Sequence, residues 1–502
     1  MESDQLKIKV FSASKWSAIT EVIAKLIVPI TNMILARILA PEAFGVVATV
    51  TMIISFVEMF TDAGFQKYLV QREFEDENEK YMKANVAFWT NFGLSLFLWG
   101  IIALFNEQIA YMVGNPGLGI VITVACIQLP LTSFSSIQMA LFRRDFDFKT
   151  LFYARVISII IPFFITIPLA LLGLSYWSLI IGTVITQFFN AVFLTIKSSW
   201  KPTFYYDLNT LKEMFSFSAW SLIEAVSIWL TTWVDTFIIG YFLNEYYLGI
   251  YKTSTSIVNS LLALITGATV PVLFSALSRL QHDENQFINM YFKFQRLVSI
   301  LVLPLGIGVY LYRDLATQLM LGDQWNEASD VIGIWALTSV IVIVLSHFSS
   351  EAYRAKGKPK LSFLSQILHL MVLVPTVIIA AKYGFWALVY ARSLVRLQGV
   401  IVNLVIMKVV LKVSAVKTLK NVIPMIVAVG VMGVFGLLLK AISNSIAWNI
   451  LSIISCAVVY IVVLCLFPII RMELLNIGIK LLPHRFGKLF SVIMPKEKRE
   501  QI

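Results

Sequence analysis

The sequence predicts an all-α polytopic membrane protein of about fourteen transmembrane helices, built as two pseudo-symmetric six-helix lobes followed by two further helices. Three observations carry this. Of 502 residues, 58% are hydrophobic and only 14% charged, and mean hydropathy is +0.81, far from the composition of a water-soluble surface. Apolar runs long enough to cross a bilayer, about 20 residues each, follow one another almost end to end. Landmarks in the first half of those runs recur in the second.

The fourteen runs span residues 15 to 38, 43 to 62, 82 to 105, 117 to 141, 151 to 172, 175 to 196, 215 to 241, 247 to 276, 292 to 312, 328 to 353, 360 to 381, 384 to 408, 419 to 440 and 446 to 469. The first contains Glu21, Lys25 and Pro29 and follows a polar start, so it reads as a permanent span rather than a secretory leader. Positive residues mark the cytoplasmic side of short loops, and here they alternate. Thirty-two of the 40 Lys and Arg residues fall in the even-numbered gaps and the terminal segments; the odd-numbered gaps hold only Arg37, Arg313, Lys382 and Lys440. Both termini are therefore expected in the cytoplasm. The net charge of +11 is spent on topology and gives no reason to expect a nucleic-acid partner. From Arg471 the chain reads as a basic amphipathic helix lying on the inner leaflet.

Several function classes are excluded. Cys126, Cys456 and Cys465 lie inside apolar runs without CxxC spacing, and the four histidines are scattered, so neither a disulfide scaffold nor a metal centre is expected, and no cofactor. The largest outer loop, Arg313 to Asp330, is too short for a catalytic domain, which counts against a membrane polymerase or ligase. No catalytic residue is assigned.

The internal repeat rests on three matches. I-L-A-R-I-L-A-P-E-A-F-G, ending at Gly45, is echoed by I-I-G-Y-F-L-N-E-Y-Y-L-G, ending at Gly249, an offset of 204. L-F-R-R and A-Y-R-A place Arg143 and Arg354 at an offset of 211, and Y-W-S-L and F-W-A-L place Trp177 and Trp386 at 209. Six spans per half is an even number, so the halves share orientation, with a cavity between them. The expected divisions are an N-terminal lobe, 1 to 199; a second lobe, 200 to 412; helices 13 and 14, 413 to 470; and the tail, 471 to 502.

Charges inside the spans mark candidate function, because a charge at mid-bilayer costs about 2.5–3.5 kcal/mol on insertion scales. Glu21, Lys25 and Asn32 share one face of span 1; a Glu21–Lys25 pair and a cavity-lining role are both open. Arg392 and Arg396 lie one turn apart in span 12, where they cannot neutralise each other. They are the leading candidates for gripping an anion, since the planar guanidinium fork matches phosphate; the competing reading pairs them with Glu224 or Asp235. Lys252, Ser256 and Asn259 line one face of span 8, with Lys252 toward the outer end, where it meets substrate or snorkels to the interface. Glu224 and Asp235, on one face of span 7, are candidates for a coupling proton or sodium ion, or for countering the arginines. Glu58 and Asp62 close span 2 and read as a structural cap or gate.

L-A-R-I-L-A-P-E-A-F-G-V-V-A (Leu35 to Ala48) and D-A-G-F-Q-K-Y-L-V-Q-R (Asp62 to Arg72) resemble the opening of bacterial oligosaccharide flippases of the polysaccharide-transport family, within the multidrug/oligosaccharidyl-lipid/polysaccharide exporter superfamily. L-G-I-Y-K-T-S (Leu248 to Ser254), P-V-L-F-S-A-L-S-R-L-Q (Pro271 to Gln281) and L-G-D-Q-W-N-E-A (Leu321 to Ala328) look like the same family. The resemblance implies export of undecaprenyl-diphosphate-linked oligosaccharide repeat units across the bacterial inner membrane for O-antigen, capsule or exopolysaccharide assembly, by alternating access. It implies a polyprenyl-diphosphate-linked oligosaccharide and membrane lipids as partners; the candidate cavity cations, from their place inside the spans, are Lys25, Lys252, Arg392 and Arg396. A proton or sodium gradient and a polysaccharide polymerase are further candidate partners, and a monomer is expected. A lipid II flippase, or a multidrug exporter of the same superfamily, is the alternative.

Overall fold

The computed structural model describes residues 2–62, 64–443 and 445–473; of Asp62 and Glu224 only the backbone is described. The expected amphipathic tail lies, beyond Glu473, outside the described residues. Among those described, the chain forms twenty α-helices and no strand. Fourteen segments are long and apolar enough to cross a membrane: Lys9–Ile38, Pro41–Thr61, Glu77–Leu104, Gly119–Arg144, Phe148–Leu171, Tyr176–Lys197, Ala225–Phe242, Glu245–Arg279, Glu284–Leu311, Ala328–Ala355, Lys360–Ala381, Phe385–Leu411, Ala415–Lys440 and Ile446–Cys465. These are spans 1 to 14, and each overlaps the run expected from sequence.

Helix ends follow local chemistry. Asp76, Asp147, Asp207 and Asp283 precede spans 3, 5, 7 and 9, and each carboxylate accepts from a backbone N–H of the first turn, a cap worth about 0.5–2 kcal/mol. The Thr210 hydroxyl and amide hold the Asp207 carboxyl below the usual aspartate range. Two spans expected to be continuous are broken. Span 4 consists of Gly119–Ala125 and Gln128–Arg144, and span 5 of Phe148–Phe164 and Thr166–Leu171. Pro130 and Pro168 explain both interruptions: each lacks the N–H that would bond four residues back, and its ring crowds that carbonyl. Span 10 carries a π-helical turn at Ile343–His347.

The chain divides into two compact units. One comprises Met1–Leu264, Ala316–Trp335 and Pro359–Val402; the other comprises Ile265–Leu315, Ala336–Lys358 and Asn403–Ile502. Inside the second, spans 13 and 14 are fastened to span 9. Tyr460 donates to the Ile300 carbonyl at 2.9 Å, Arg296 pairs with Glu473 at 2.6 Å, and Tyr312 bonds Ser452.

Inside the first unit the repeat becomes a contact. Span 2 starts at Pro41 and span 8 at Glu245, and Gly45 and Gly249 each lie four residues in. A Cβ on Gly45 would overlap the Glu245 carbonyl; one on Gly249 would overlap the Pro41 carbonyl. The two starts therefore cross reciprocally, backbone against backbone, at equivalent points of the repeat. Two of the family-like motifs meet beside this crossing. Trp325 Nε1 and Gln324 Nε2 donate to the Ala36 carbonyl at 2.7 and 2.6 Å, Gln324 also reaches the Leu39 carbonyl at 3.0 Å, and the Trp325 ring meets Phe44 edge-on at 5.3 Å. The motifs thus encode a clasp that satisfies the otherwise orphaned carbonyls at the end of span 1.

Gly45→Ala and Gly249→Ala are each expected to cost about 1–3 kcal/mol or more through overpacking, read as a lower Tm in detergent. Gly100→Ala, where nothing lies within 4 Å of the added carbon, should leave Tm unchanged or raise it.

Candidate functional site: a cation-lined cavity

A cavity of about 420 Å³, within the range of ligand sites, opens in the first unit between spans 1, 2, 7 and 8. Span 1 contributes Lys25 and Asn32, span 2 contributes Thr51, span 7 contributes Trp233, and span 8 contributes Lys252, Ser256 and Ser260. Among the described residues, no acidic one lines it. Pro29, one turn beyond Lys25, removes a donor from the span 1 ladder beside the cavity.

The two lysines differ in surroundings. Lys25 Nζ lies 3.7 Å from Glu21, whose side chain is 66% exposed, and 3.4 Å from the Ala263 carbonyl; an exposed pair of this kind adds little and leaves the ammonium available. Lys252 Nζ lies over the Trp233 ring, 4.1 Å from its centroid, and no carboxylate is within ion-pair distance of it among the described residues. A ring face attracts a cation without neutralising it. The lining therefore presents two positive charges, amide and hydroxyl groups, and no built-in anion, which is the chemistry of an anion site.

The structure places the remaining sequence candidates elsewhere. Arg392 does not line this cavity. Its Nε bonds Asp235 Oδ2 at 3.1 Å, with both side chains under a tenth exposed, and Tyr251 donates to the same oxygen at 2.7 Å. The structural-bridge reading of Arg392 is the one realised, with Asp235 as the partner. Arg396 also lies outside the lining, its guanidinium carbon 3.9 Å from the Trp335 ring centroid. Trp335 in turn donates to Asn259 at 3.0 Å, so Asn259, at the edge of the face it shares with Lys252, is engaged outside the lining, and Ser260 takes its expected place at the cavity. Sequence reasoning missed the role of Tyr251, which lies in the quoted L-G-I-Y-K-T-S motif but whose bond to Asp235 no local pattern reveals. Glu224 belongs to the helix Leu208–Phe242.

Removing one member of the buried pair strands the other's charge, which typically costs about 3–5 kcal/mol. Asp235→Ala should therefore lower Tm markedly, whereas Asp235→Leu combined with Arg392→Met should recover most of the loss in the same thermal-unfolding assay.

The fold and the sequence both have counterparts among known proteins. The fold resembles the lipid II flippase MurJ in its inward closed conformation, with a TM-score of 0.70 at 15% identity over 90% of this chain and 98% of that one. It also resembles an inward-facing multidrug MATE transporter of the MOP superfamily, with a TM-score of 0.59 at 14% identity over 81% and 99%. Among curated proteins, the succinoglycan biosynthesis transport protein ExoT of Rhizobium meliloti (strain 1021) is 24% identical over 64% of each chain, so this chain spans just under two thirds of that relative. The lipopolysaccharide biosynthesis protein WzxC of Escherichia coli (strain K12) is 20% identical over 75% of this chain and 76% of its own. The teichuronic acid biosynthesis protein TuaB of Bacillus subtilis (strain 168) is 20% identical over 71% and 73%. The model of the family described as "Polysaccharide biosynthesis protein" matches residues 34–330, more than half of the sequence, and the chain, a multi-pass membrane protein, belongs to that family.

Proposed function

We propose that the protein is a flippase that moves polyprenyl-diphosphate-linked oligosaccharide from the cytoplasmic to the outer leaflet of a bacterial plasma membrane, for surface polysaccharide assembly, without enzymatic chemistry. The carrying observation is Lys252, a half-buried ammonium on a cavity wall that faces an indole ring and no acid. A diphosphate cannot cross hydrocarbon unaided because an unpaired ion there is prohibitively costly. Lys252 and Lys25 supply the compensating charge while the prenyl chain stays in lipid. The cavity changes access from one leaflet to the other by movement of the surrounding helices.

An organic-cation exporter would need acidic walls, and this lining has none. A lipid II flippase would handle the same diphosphate, but membership of the polysaccharide family selects the other branch. Coupling to a proton or sodium ion at Asp235 would require Arg392 to leave it, since the guanidinium and the Tyr251 hydroxyl already occupy that carboxylate; Glu224 is the remaining coupling candidate on span 7. The exported unit is the substrate of a polymerase at the outer face.

Lys25→Gln with Lys252→Gln should weaken headgroup binding by about 1.5–3 kcal/mol per lost charged contact. In cells lacking any other flippase, the double variant should reach the membrane yet fail to restore surface polysaccharide, and lipid-linked repeat units should accumulate on the inner leaflet. Normal polysaccharide in those cells would refute the reading. Topology is checked separately: an impermeant thiol reagent applied to intact cells should label Lys382→Cys and not Lys358→Cys.

A further inference from the structure

A second cavity of about 320 Å³ lies in the same unit, among spans 2, 3, 4 and 7 and the turn after span 2. Its chemistry differs from that of the first. Asn91, Thr132, Ser133 and Ser136 bring an amide and three hydroxyls, and Glu58 and Lys67 place one charge of each sign on the wall. Asn91 donates to Ser136 at 2.9 Å, and Ser136 donates onward to the Ser133 carbonyl at 3.1 Å, so these groups are held in place by each other. Thr132 Oγ1 is buried and has no hydrogen-bond partner among the described residues. A buried hydroxyl in that state is destabilising, and a ligand hydroxyl bonded to it would offset that cost. Among the described residues of the lining, groups that both donate and accept, with one charge of each sign, match sugar hydroxyls; a diphosphate would meet Glu58 here.

The same two helices line both cavities, and one residue stands between them. On span 2, Thr51 lines the cationic cavity and Glu58 and Met59 the polar one; on the helix of span 7, Trp233 lines the cationic cavity and Ala225 and Leu222 the polar one. Those linings are separated by eight residues, about 12 Å along a helix. Midway between them, Trp229 Nε1 donates to Ser55 Oγ at 3.1 Å, and Phe56 packs on the indole at a centroid distance of 4.9 Å. The spacings 225, 229, 233 and 51, 55, 59 put these residues on the cavity-facing stripes of their helices.

We propose that the hydroxyl-lined cavity is a separate site for the uncharged sugars of the headgroup, and that Trp229, latched to Ser55, is the partition between it and the cationic site. This rests on the flippase reading and adds to it a division of labour: neutral sugar on one side of the indole, diphosphate on the other. Translocation then requires the Trp229–Ser55 bond to open.

The test uses full-length protein with its three native cysteines replaced by alanine and single cysteines introduced at Ser133 or Thr51, labelled by N-ethylmaleimide in detergent. Two probes are used: repeat-unit oligosaccharides freed by mild acid from the polyprenyl-diphosphate pool of the producing cells, and inorganic pyrophosphate. At about tenfold above Kd, a bound ligand should slow labelling of a covered thiol about tenfold. The oligosaccharide should protect Ser133→Cys and pyrophosphate should not; pyrophosphate should protect Thr51→Cys. With Trp229→Ala added, pyrophosphate should reach and protect Ser133→Cys as well. Thr132→Cys serves as the second position should Ser133→Cys fold poorly. Protection of Ser133→Cys by pyrophosphate with Trp229 intact, or no gain of it in Trp229→Ala, overturns the partition. Absence of protection by oligosaccharide at both positions, with pyrophosphate still protecting Thr51→Cys, overturns the sugar site alone. Failure of pyrophosphate at Thr51→Cys removes the cationic-cavity reading.

Discussion

Hydrocarbon offers no hydrogen bonds and no counter-ions, so every polar group that this chain carries into the membrane must find a partner in the protein or face a cavity. The buried Asp235–Arg392 pair is the plainest consequence. It joins span 7 to span 12 by 3.1 Å, recruits Tyr251 from span 8, and stacks against Trp335 of span 10 through the neighbouring Arg396. Four helices, two consecutive and two more distant in sequence, are thereby held in one arrangement. The same rule read in the opposite direction marks the functional candidate: Lys252, with no carboxylate within ion-pair distance among the described residues, stands where a cavity opens.

The clasp at the starts of spans 2 and 8 obeys a second constraint, that of volume. Without a hydrophobic force between helices inside a bilayer, close packing and small residues must hold them together. Gly45 and Gly249 let two backbones touch, and Trp325 and Gln324 satisfy the carbonyls left open where span 1 ends. Most of the residues that carry the family resemblance are accordingly structural and fix one end of the helices that line the cationic cavity, while Lys252, within L-G-I-Y-K-T-S, lines that cavity itself. This explains why such motifs identify a family while saying little about its cargo.

The two cavities divide the headgroup's chemistry by charge. One wall set holds two lysines and no acid; the other holds hydroxyls, an amide and balanced charge. A diphosphate-linked sugar has both characters in one molecule, and an indole placed between the sites lets each be recognised by groups that would serve the other poorly.

The sequence by itself determined the spans and their number, because each is set locally, by apolar runs of bilayer length and the charged breaks between them; the crossing at Gly45 and Gly249, between residues about two hundred apart, was decided by packing. The sequence also named the charges worth watching, Lys25, Lys252, Asp235, Arg392 and Arg396. Helical periodicity shows which residues share a face, however, and not which distant helix that face will meet. Tertiary packing decided that Arg392 would be consumed by Asp235 while Lys252 would not be paired, that Ser260 rather than Asn259 would border the cavity one residue and about 100° away, and that Trp229, unremarkable among twelve tryptophans, would stand between two cavities. Those outcomes depend on contacts between different helices, 157 residues apart for Asp235 and Arg392 and 174 for Ser55 and Trp229, and only packing brings the partners within reach.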